Sequence, residues 1–115
     1  MTATPSIRDR IKSVQTLFLT RAVTPSAVRE NLIMLTALFG NVLDEARLAD
    51  HDFNLIVAAF VEAGDAVSKA EVRAKVTAQY GRAREAKDTE RLTLEMIRGC
   101  KNYLQSLDTE MSLAR

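Results

Sequence analysis

The residues best suited to chemistry are few in this chain and far apart in the sequence. The one histidine, His51, lies between Asp50 and Asp52, and the one cysteine is Cys100. A zinc site needs several His, Cys, Asp or Glu side chains at ligand spacing, and a nucleophilic site needs an oriented base beside the thiol or hydroxyl. We interpret the histidine tripeptide as a helix cap, and Cys100, which lies in an apolar stripe, as a small buried hydrophobic residue. The sequence therefore predicts no metal site, no cofactor and no catalytic residue, and so no enzyme.

A second group of residues is suited to binding phosphates. Residues 80–92 carry seven charged side chains of both signs. On one continuous helix, four cations would form a row on the face opposite the apolar residues: Arg84, Lys87, Arg91 and Arg98. Such a row can follow a nucleic-acid backbone, although Asp88 and Glu95 border it. A break at Gly81 would instead give a helix-turn-helix. The row is either a nucleic-acid contact or only the solvated face of a helix.

The composition indicates one soluble globular domain, residues 1–115. Apolar residues make up 47% and charged residues 27%, an ordinary globular balance. Four glycines and two prolines are too few for a turn-rich β fold. The single cysteine, the polar start of the chain and the lack of a bilayer-length apolar run predict a cytoplasmic protein with no membrane role.

Hydrophobic periodicity predicts an all-α fold of four or five helices, arranged as an antiparallel bundle with a long C-terminal amphipathic helix. The triplet Thr-Pro-Ser occurs twice, and at each copy the threonine is expected to cap a helix whose first residue is the proline. These helices are predicted over residues 6–21 and 25–48. Asp50 or Asp52 would then cap a third helix over 53–63, although the apolar run there also suits a buried strand.

The second half of the chain carries further helix signals. Gly64 is well placed to end the third helix. Ser68 has the spacing of a capping box with Glu71, so a fourth helix is expected to begin at Lys69 and to turn Val72 and Val76 inward. Gly81 would either end or only weaken this helix. The last apolar stripe belongs to a helix predicted over residues 82–113.

The second helix has more apolar surface than one buried face requires. Besides the stripe that contains Val28 and Leu35, four residues fall on another side: Ile33, Met34, Ala37 and Leu48. A helix that is apolar on two sides is either central in its bundle or shared between subunits. We therefore predict a homo-oligomer with these four residues at its interface.

Charge is unevenly distributed although the net charge is only +1. Residues 1–40 carry +3, residues 41–67 carry −5, residues 68–91 carry +3 and residues 92–115 carry 0. This segregation fits three explanations: a match between helices of one chain, attraction between subunits, or a polarised outer surface.

The last third of the chain also carries a resemblance to known proteins. The segment over residues 80–115 reads YGRAREAKDTERLTLEMIRGCKNYLQSLDTEMSLAR. It resembles the C-terminal helices of small phage-encoded accessory proteins found near replication and recombination genes. The resemblance implies a non-enzymatic helper that acts as an oligomer on DNA or on a DNA-handling partner. From the residues we expect an interaction or adaptor protein that binds itself and another macromolecule, with a nucleic-acid-binding accessory factor as the alternative.

Overall fold

A computed structural model describes residues 5–20 and 23–114 of the chain. Within these ranges the protein is all-helical and contains no strand, which confirms the all-α part of the prediction. The helices are α1 (Ile7–Thr20), α2 (Pro25–Glu62), α3 (Val67–Ala74) and α4 (Ala78–Leu113). None of these helices is both long and apolar enough to cross a membrane.

The second Thr-Pro-Ser triplet begins α2 as predicted. The backbone N–H of Ala27 donates a hydrogen bond of 3.1 Å to the Thr24 hydroxyl oxygen, and Pro25 is the first helical residue. This contact satisfies one of the N–H groups that have no partner inside the helix.

The first triplet begins α1 in a different register, and the prediction of Pro5 as first helical residue is wrong. Helix α1 begins at Ile7, and the Asp9 N–H donates to the Ser6 hydroxyl at 3.1 Å. Serine caps a helix at least as well as threonine, so the cap can move two residues along the same triplet. Thr4 lies outside the described residues.

The largest departure from the predicted helices is the continuity of α2. It passes without a break through Asp50, His51 and Asp52, so neither a helix end near Leu48 nor a cap in this tripeptide exists. Aspartate and histidine each cost at most about 0.7 kcal/mol relative to alanine in a helix interior. Without a glycine or proline nearby, this cost is too small to end the helix.

Helix α2 ends at Glu62, and Gly64 terminates it, as predicted. The N–H of Asp65 donates to the Phe60 carbonyl at 3.1 Å, and the N–H of Gly64 donates to the Val61 carbonyl at 3.0 Å. This is the Schellman pattern, which requires a left-handed residue. Gly64 supplies it with a φ of 111°, a conformation that costs glycine little.

Helix α3 does not begin with the predicted capping box. It begins at Val67, so Ser68 lies inside the helix rather than at its N-cap. The N-cap residue is Ala66, which makes no side-chain cap hydrogen bond. The Asp65 carboxylate lies just ahead of the first turn and contacts the Lys69 ammonium at 3.9 Å. A negative charge at this end is favourable to the helix dipole, so it stabilises the start without a hydroxyl cap.

The inward face of α3 is also different from the prediction. Ala70 and Ala74 are fully buried, whereas Val72 and Val76 are 67% and 88% exposed. Because each residue turns a helix by about 100°, Val72 points away from both alanines. The two small residues, rather than the valines, therefore form the buried side of this helix.

Helix α4 begins earlier than predicted, at Ala78. The N–H of Tyr80 donates to the Thr77 hydroxyl oxygen at 3.4 Å, and the N–H of Gly81 donates to the Thr77 carbonyl at 3.4 Å. Gly81 therefore lies in the first turn of α4. The preceding helix, α3, ends at Ala74, and a short turn connects it to α4.

The chain divides into two compact units, and both α2 and α4 contribute residues to each of them. Unit 1 comprises Met1–Asn41 and Arg91–Arg115, and unit 2 comprises Val42–Glu90. Buried residues of unit 1 are Ile11, Val14, Val28, Leu35, Thr93, Ile97 and Cys100. Buried residues of unit 2 are Val42, Ala46, Ala70, Ala74, Ala83 and Thr89.

Candidate interaction surfaces

The four residues predicted to form an oligomer interface all lie at the surface. Ile33 is 70% exposed, Met34 44% and Leu48 64%, and Ala37 is exposed as well. In unit 1, Ile33 and Ala37 lie on the side of α2 opposite to the buried Leu35, because their spacing of four residues is close to one helical turn.

A fifth residue lies on the same side of α2 as Leu48, within unit 2. Leu55 is 56% exposed and follows Leu48 by seven residues, which is close to two helical turns. Sequence reasoning missed Leu55 because it was assigned to a separate helix; the seven-residue spacing would have found it. We call these five exposed residues of α2 the outer α2 face: Ile33, Met34 and Ala37 in unit 1, and Leu48 and Leu55 in unit 2.

Carboxylates surround the two leucines of this face. Four exposed acidic residues form what we call the acidic frame: Asp44, Glu45, Asp52 and Glu62. Asp44 contacts Arg47 at 3.6 Å, with both side chains largely in solvent. The other three make no ion pair within residues 5–20 and 23–114. Their charge is therefore available to a partner.

The four cations predicted to bind nucleic acid are all exposed on α4, and we call them the cation row: Arg84, Lys87, Arg91 and Arg98. The first two have contacts inside unit 2. The Arg84 guanidinium donates to the Tyr80 hydroxyl at 3.3 Å, and the Lys87 ammonium lies 3.9 Å from an Asp50 carboxylate oxygen. A solvent-exposed ion pair of this length contributes little, so the row keeps most of its positive potential.

Tyr80 itself has a structural role in unit 2. Its ring lies against Phe53, with centroids 5.4 Å apart and planes tilted by 48°. Both residues are half-buried. The aromatic pair joins α2 to the start of α4 and holds the hydroxyl to which Arg84 donates. No sequence signal could have found this pair, since it depends on how the two helices align.

The corner between α2 and α3 is held by a carboxylate that is only partly exposed. The side chain of Asp65 is only 14% exposed and accepts a hydrogen bond from Arg73, whose guanidinium lies 4.4 Å from the centre of the Phe60 ring. A short charge-assisted contact and a cation–π contact thus meet on one arginine.

Four residues of α3 and the turn after it form a second mixed apolar and charged surface, which we call the outer α3 face: Lys69, Val72, Lys75 and Val76. All are exposed, contrary to the predicted inward direction of the valines. Lys75 makes no ion pair in the described part of the chain, and the Lys69 side chain is 70% exposed despite its contact with Asp65. Sequence reasoning missed this surface.

The residues first considered for chemistry are not assembled into a site. His51 lies in the middle of α2 and is exposed to solvent, whereas Cys100 is 2% exposed. Burial raises the pKa of the Cys100 thiol, which lowers the fraction of reactive thiolate at neutral pH. Among the described residues, no three His, Cys, Asp or Glu side chains are grouped closely enough to hold a metal ion.

Comparisons of the chain with protein-family models, curated proteins and solved structures found no match. A function must therefore be argued from the three surfaces described above. Two of them combine apolar and charged side chains, the outer α2 face with its acidic frame and the outer α3 face. The third, the cation row, is purely charged.

Proposed function

We propose that this protein is a non-enzymatic helical interaction protein that associates with itself through the outer α2 face and also binds another macromolecule in the cytoplasm. One observation carries this proposal: Leu48 and Leu55 are each more than half exposed and lie about two helical turns apart on α2. Single exposed apolar residues are ordinary, but a row at helical spacing is typical of helices that pair. Full burial of each such side chain would contribute about 1.5–3 kcal/mol.

The chain architecture that we propose is an antiparallel helical bundle whose last helix is long and amphipathic. Two contacts inside unit 2 support the antiparallel arrangement. Asp50 of α2 meets Lys87 of α4, and the later residue Phe53 meets the earlier residue Tyr80. Residue numbers that rise on one helix as they fall on the other are the sign of antiparallel neighbours.

Sedimentation velocity and light scattering from micromolar to submillimolar protein test the self-association. We expect a mass above 12.8 kDa that increases with concentration. The variant Leu48→Glu/Leu55→Glu should be monomeric at every concentration, with unchanged helical circular dichroism. Met111→Glu is the matched control, because Met111 is 60% exposed on another helix. A wild-type protein that stays monomeric throughout this range would refute the proposal.

The second candidate function is that of a nucleic-acid-binding accessory factor, the role implied by the resemblance to phage-encoded accessory proteins. The observation that favours it is the exposure of all four cations of the row on one continuous helix. Positive side chains so arranged contact phosphates without reading sequence.

Fluorescence anisotropy with labelled duplex and single-stranded DNA at low salt tests this candidate. If the row binds duplex, the slope of log K against log salt should approach about −0.9 per phosphate contacted. Arg91→Glu/Arg98→Glu should abolish binding, because within residues 5–20 and 23–114 neither guanidinium makes an ion pair or a side-chain hydrogen bond that would mask it. Arg29→Glu, an exposed arginine on α2, is the control. No binding at the lowest salt would exclude the function.

A further inference from the structure

We propose that self-association joins two different surfaces: the Leu48 and Leu55 part of the outer α2 face on one copy, and the outer α3 face on another. The partner that binds Leu48 and Leu55, inside the acidic frame, is thus a second copy of this chain. The inference rests on the proposed self-association and adds the surface to which the leucines bind.

The α2 side of this contact is an apolar stripe between carboxylates. On an α-helix, Asp44 and Glu62 fall on one flank of the line from Leu48 to Leu55, and Glu45 and Asp52 fall on the other. Three of these carboxylates have no ion-pair partner within the described ranges. The stripe therefore suits a partner that brings apolar side chains together with positive charge on both sides of them.

The α3 side has the complementary composition. Lys69 precedes Val72 by three residues and Lys75 follows it by three, so the lysines flank the valine on opposite sides. Lys75 keeps helical backbone angles, with φ −68° and ψ −13°, which preserves this arrangement past the end of α3. Val76, 88% exposed, enlarges the apolar surface between the lysines.

Other surfaces of the chain fit the leucine stripe less well. Two acid-framed stripes facing each other would place carboxylates opposite carboxylates, and such like-charge contacts oppose binding. The large apolar residues of α4 that are exposed lie near its end, at Met111 and Leu113, beside the acidic residues Asp108 and Glu110. The cation row offers charge but no comparably exposed large apolar side chain among its members. Charge and apolar surface together thus favour the outer α3 face.

Charge reversal with rescue tests the pairing. Variant A carries Glu45→Lys/Asp52→Lys, and variant B carries Lys69→Glu/Lys75→Glu. Each alone should raise the dissociation constant of self-association at least about tenfold, because like charges then face each other. An equimolar mixture of A and B should associate within about threefold of wild type, since every contact between an A copy and a B copy has opposite charges.

Asp108→Lys/Glu110→Lys makes the same change of charge away from both surfaces and is the control for variant A. Because Lys69 contacts Asp65, Lys75→Glu alone serves as a second α3 variant that leaves this contact intact. Helical circular dichroism and urea unfolding establish that each variant is folded. Lys75→Glu should raise the dissociation constant of self-association, as variant B does.

The outcomes separate this pairing from self-association in general. If wild type associates but A and B bind as wild type does, or if the mixture fails to regain affinity, the pairing is overturned while self-association through the outer α2 face stands. If wild type is monomeric at every concentration, self-association itself is refuted, and the pairing with it. Loss of affinity in each variant and recovery in the mixture would establish the pairing.

Discussion

The two units of this chain bury different kinds of side chain. Unit 1 buries branched aliphatic residues, among them Ile11, Val28 and Leu35, each no more than 1% exposed. Unit 2 buries mainly alanine, and Ala70 and Ala74 are completely inaccessible. Since the free energy of burial grows with apolar area, a buried alanine contributes much less than a buried leucine or isoleucine. The hydrophobic contribution per buried residue is therefore larger in unit 1.

Directional contacts replace some of this missing apolar burial in unit 2. The Asp65 carboxylate binds Arg73, Arg73 lies over Phe60, and Phe53 lies against Tyr80. Each of these contacts depends on geometry and involves partly exposed groups, so each contributes on the order of 1 kcal/mol. Unit 2 is thus held by a few oriented contacts around small residues.

Large apolar side chains are exposed in both units, and several of those in unit 2 belong to the outer α2 face and the outer α3 face. Small buried residues allow helices to approach closely while larger apolar side chains remain outside. In unit 2, four large aliphatic side chains are each more than half exposed: Leu48, Leu55, Val72 and Val76. A unit that keeps its larger aliphatic residues on the surface has apolar area to bury against another molecule.

The largest effect on stability is expected from truncating a buried side chain in unit 1. Leu35→Ala removes a fully buried side chain and should lower the free energy of unfolding by about 2–5 kcal/mol. Urea unfolding followed by circular dichroism measures it. Leu113→Ala, at a leucine that is 82% exposed, should change stability by less than about 0.5 kcal/mol. Equal effects at the two leucines would show that Leu35 is not part of a packed core.

An enlargement in unit 2 should have the next largest effect. Ala74→Leu places a bulky side chain at a position with no accessible surface and should cost about 1–3 kcal/mol. Hydrogen exchange should show faster opening of amides in unit 2. Val72→Leu is the control on the same helix, at a position 67% exposed, and should be nearly neutral. A stabilising Ala74→Leu would mean that unit 2 has unfilled space rather than close contact between small residues.

Features governed by long periodicity could be predicted from the sequence. The buried positions Val28, Leu35 and Cys100 each belong to a stripe that repeats over several turns, and their burial is as predicted. Gly64 was recognisable because few other residues adopt its positive φ at low cost. Ile33 and Met34 fall off the main stripe of α2, a pattern that fits a helix central in its bundle or shared between subunits, and both are exposed.

Features that depend on weak local signals could not be predicted. A cap is worth about 1 kcal/mol, so Asp50 and Ser68 remain in helix interiors when continuing the helix is more favourable. The outward direction of Val72 depends on burial of Ala70 and Ala74, and alanine gives little periodic signal. The sequence therefore indicated four of the five residues of the outer α2 face and missed the outer α3 face.

The caps themselves provide a smaller test that compares the units. Thr24→Ala in unit 1 removes a hydroxyl that accepts the Ala27 N–H, and should cost about 1 kcal/mol. Ser68→Ala in unit 2 removes a hydroxyl that caps nothing and should be neutral or slightly stabilising, since alanine is the better helix former. Urea unfolding of the two variants measures both changes in the free energy of unfolding. A larger loss at Ser68 would restore the capping box predicted from the sequence.

The smallest effect is expected from the ionisation of Cys100 in unit 1. Burial raises the pKa of its thiol above the unfolded value, which is about 8.5. Its contribution to stability is therefore fully present below that pH and is lost as pH rises through the folded pKa, because only the unfolded thiol ionises readily in between. Above pH 8 the free energy of unfolding of wild type should fall faster than that of Cys100→Ala.

The same thiol reports on which unit opens. Alkylation of Cys100 requires exposure of the sulfur, so its rate near pH 8 should follow the opening of unit 1. Leu35→Ala should accelerate alkylation strongly, and Ala74→Leu should leave the rate nearly unchanged if the units open separately. Equal acceleration by both variants would mean that the chain unfolds as one cooperative body, and the contrast between the two cores would then describe composition rather than independent stability.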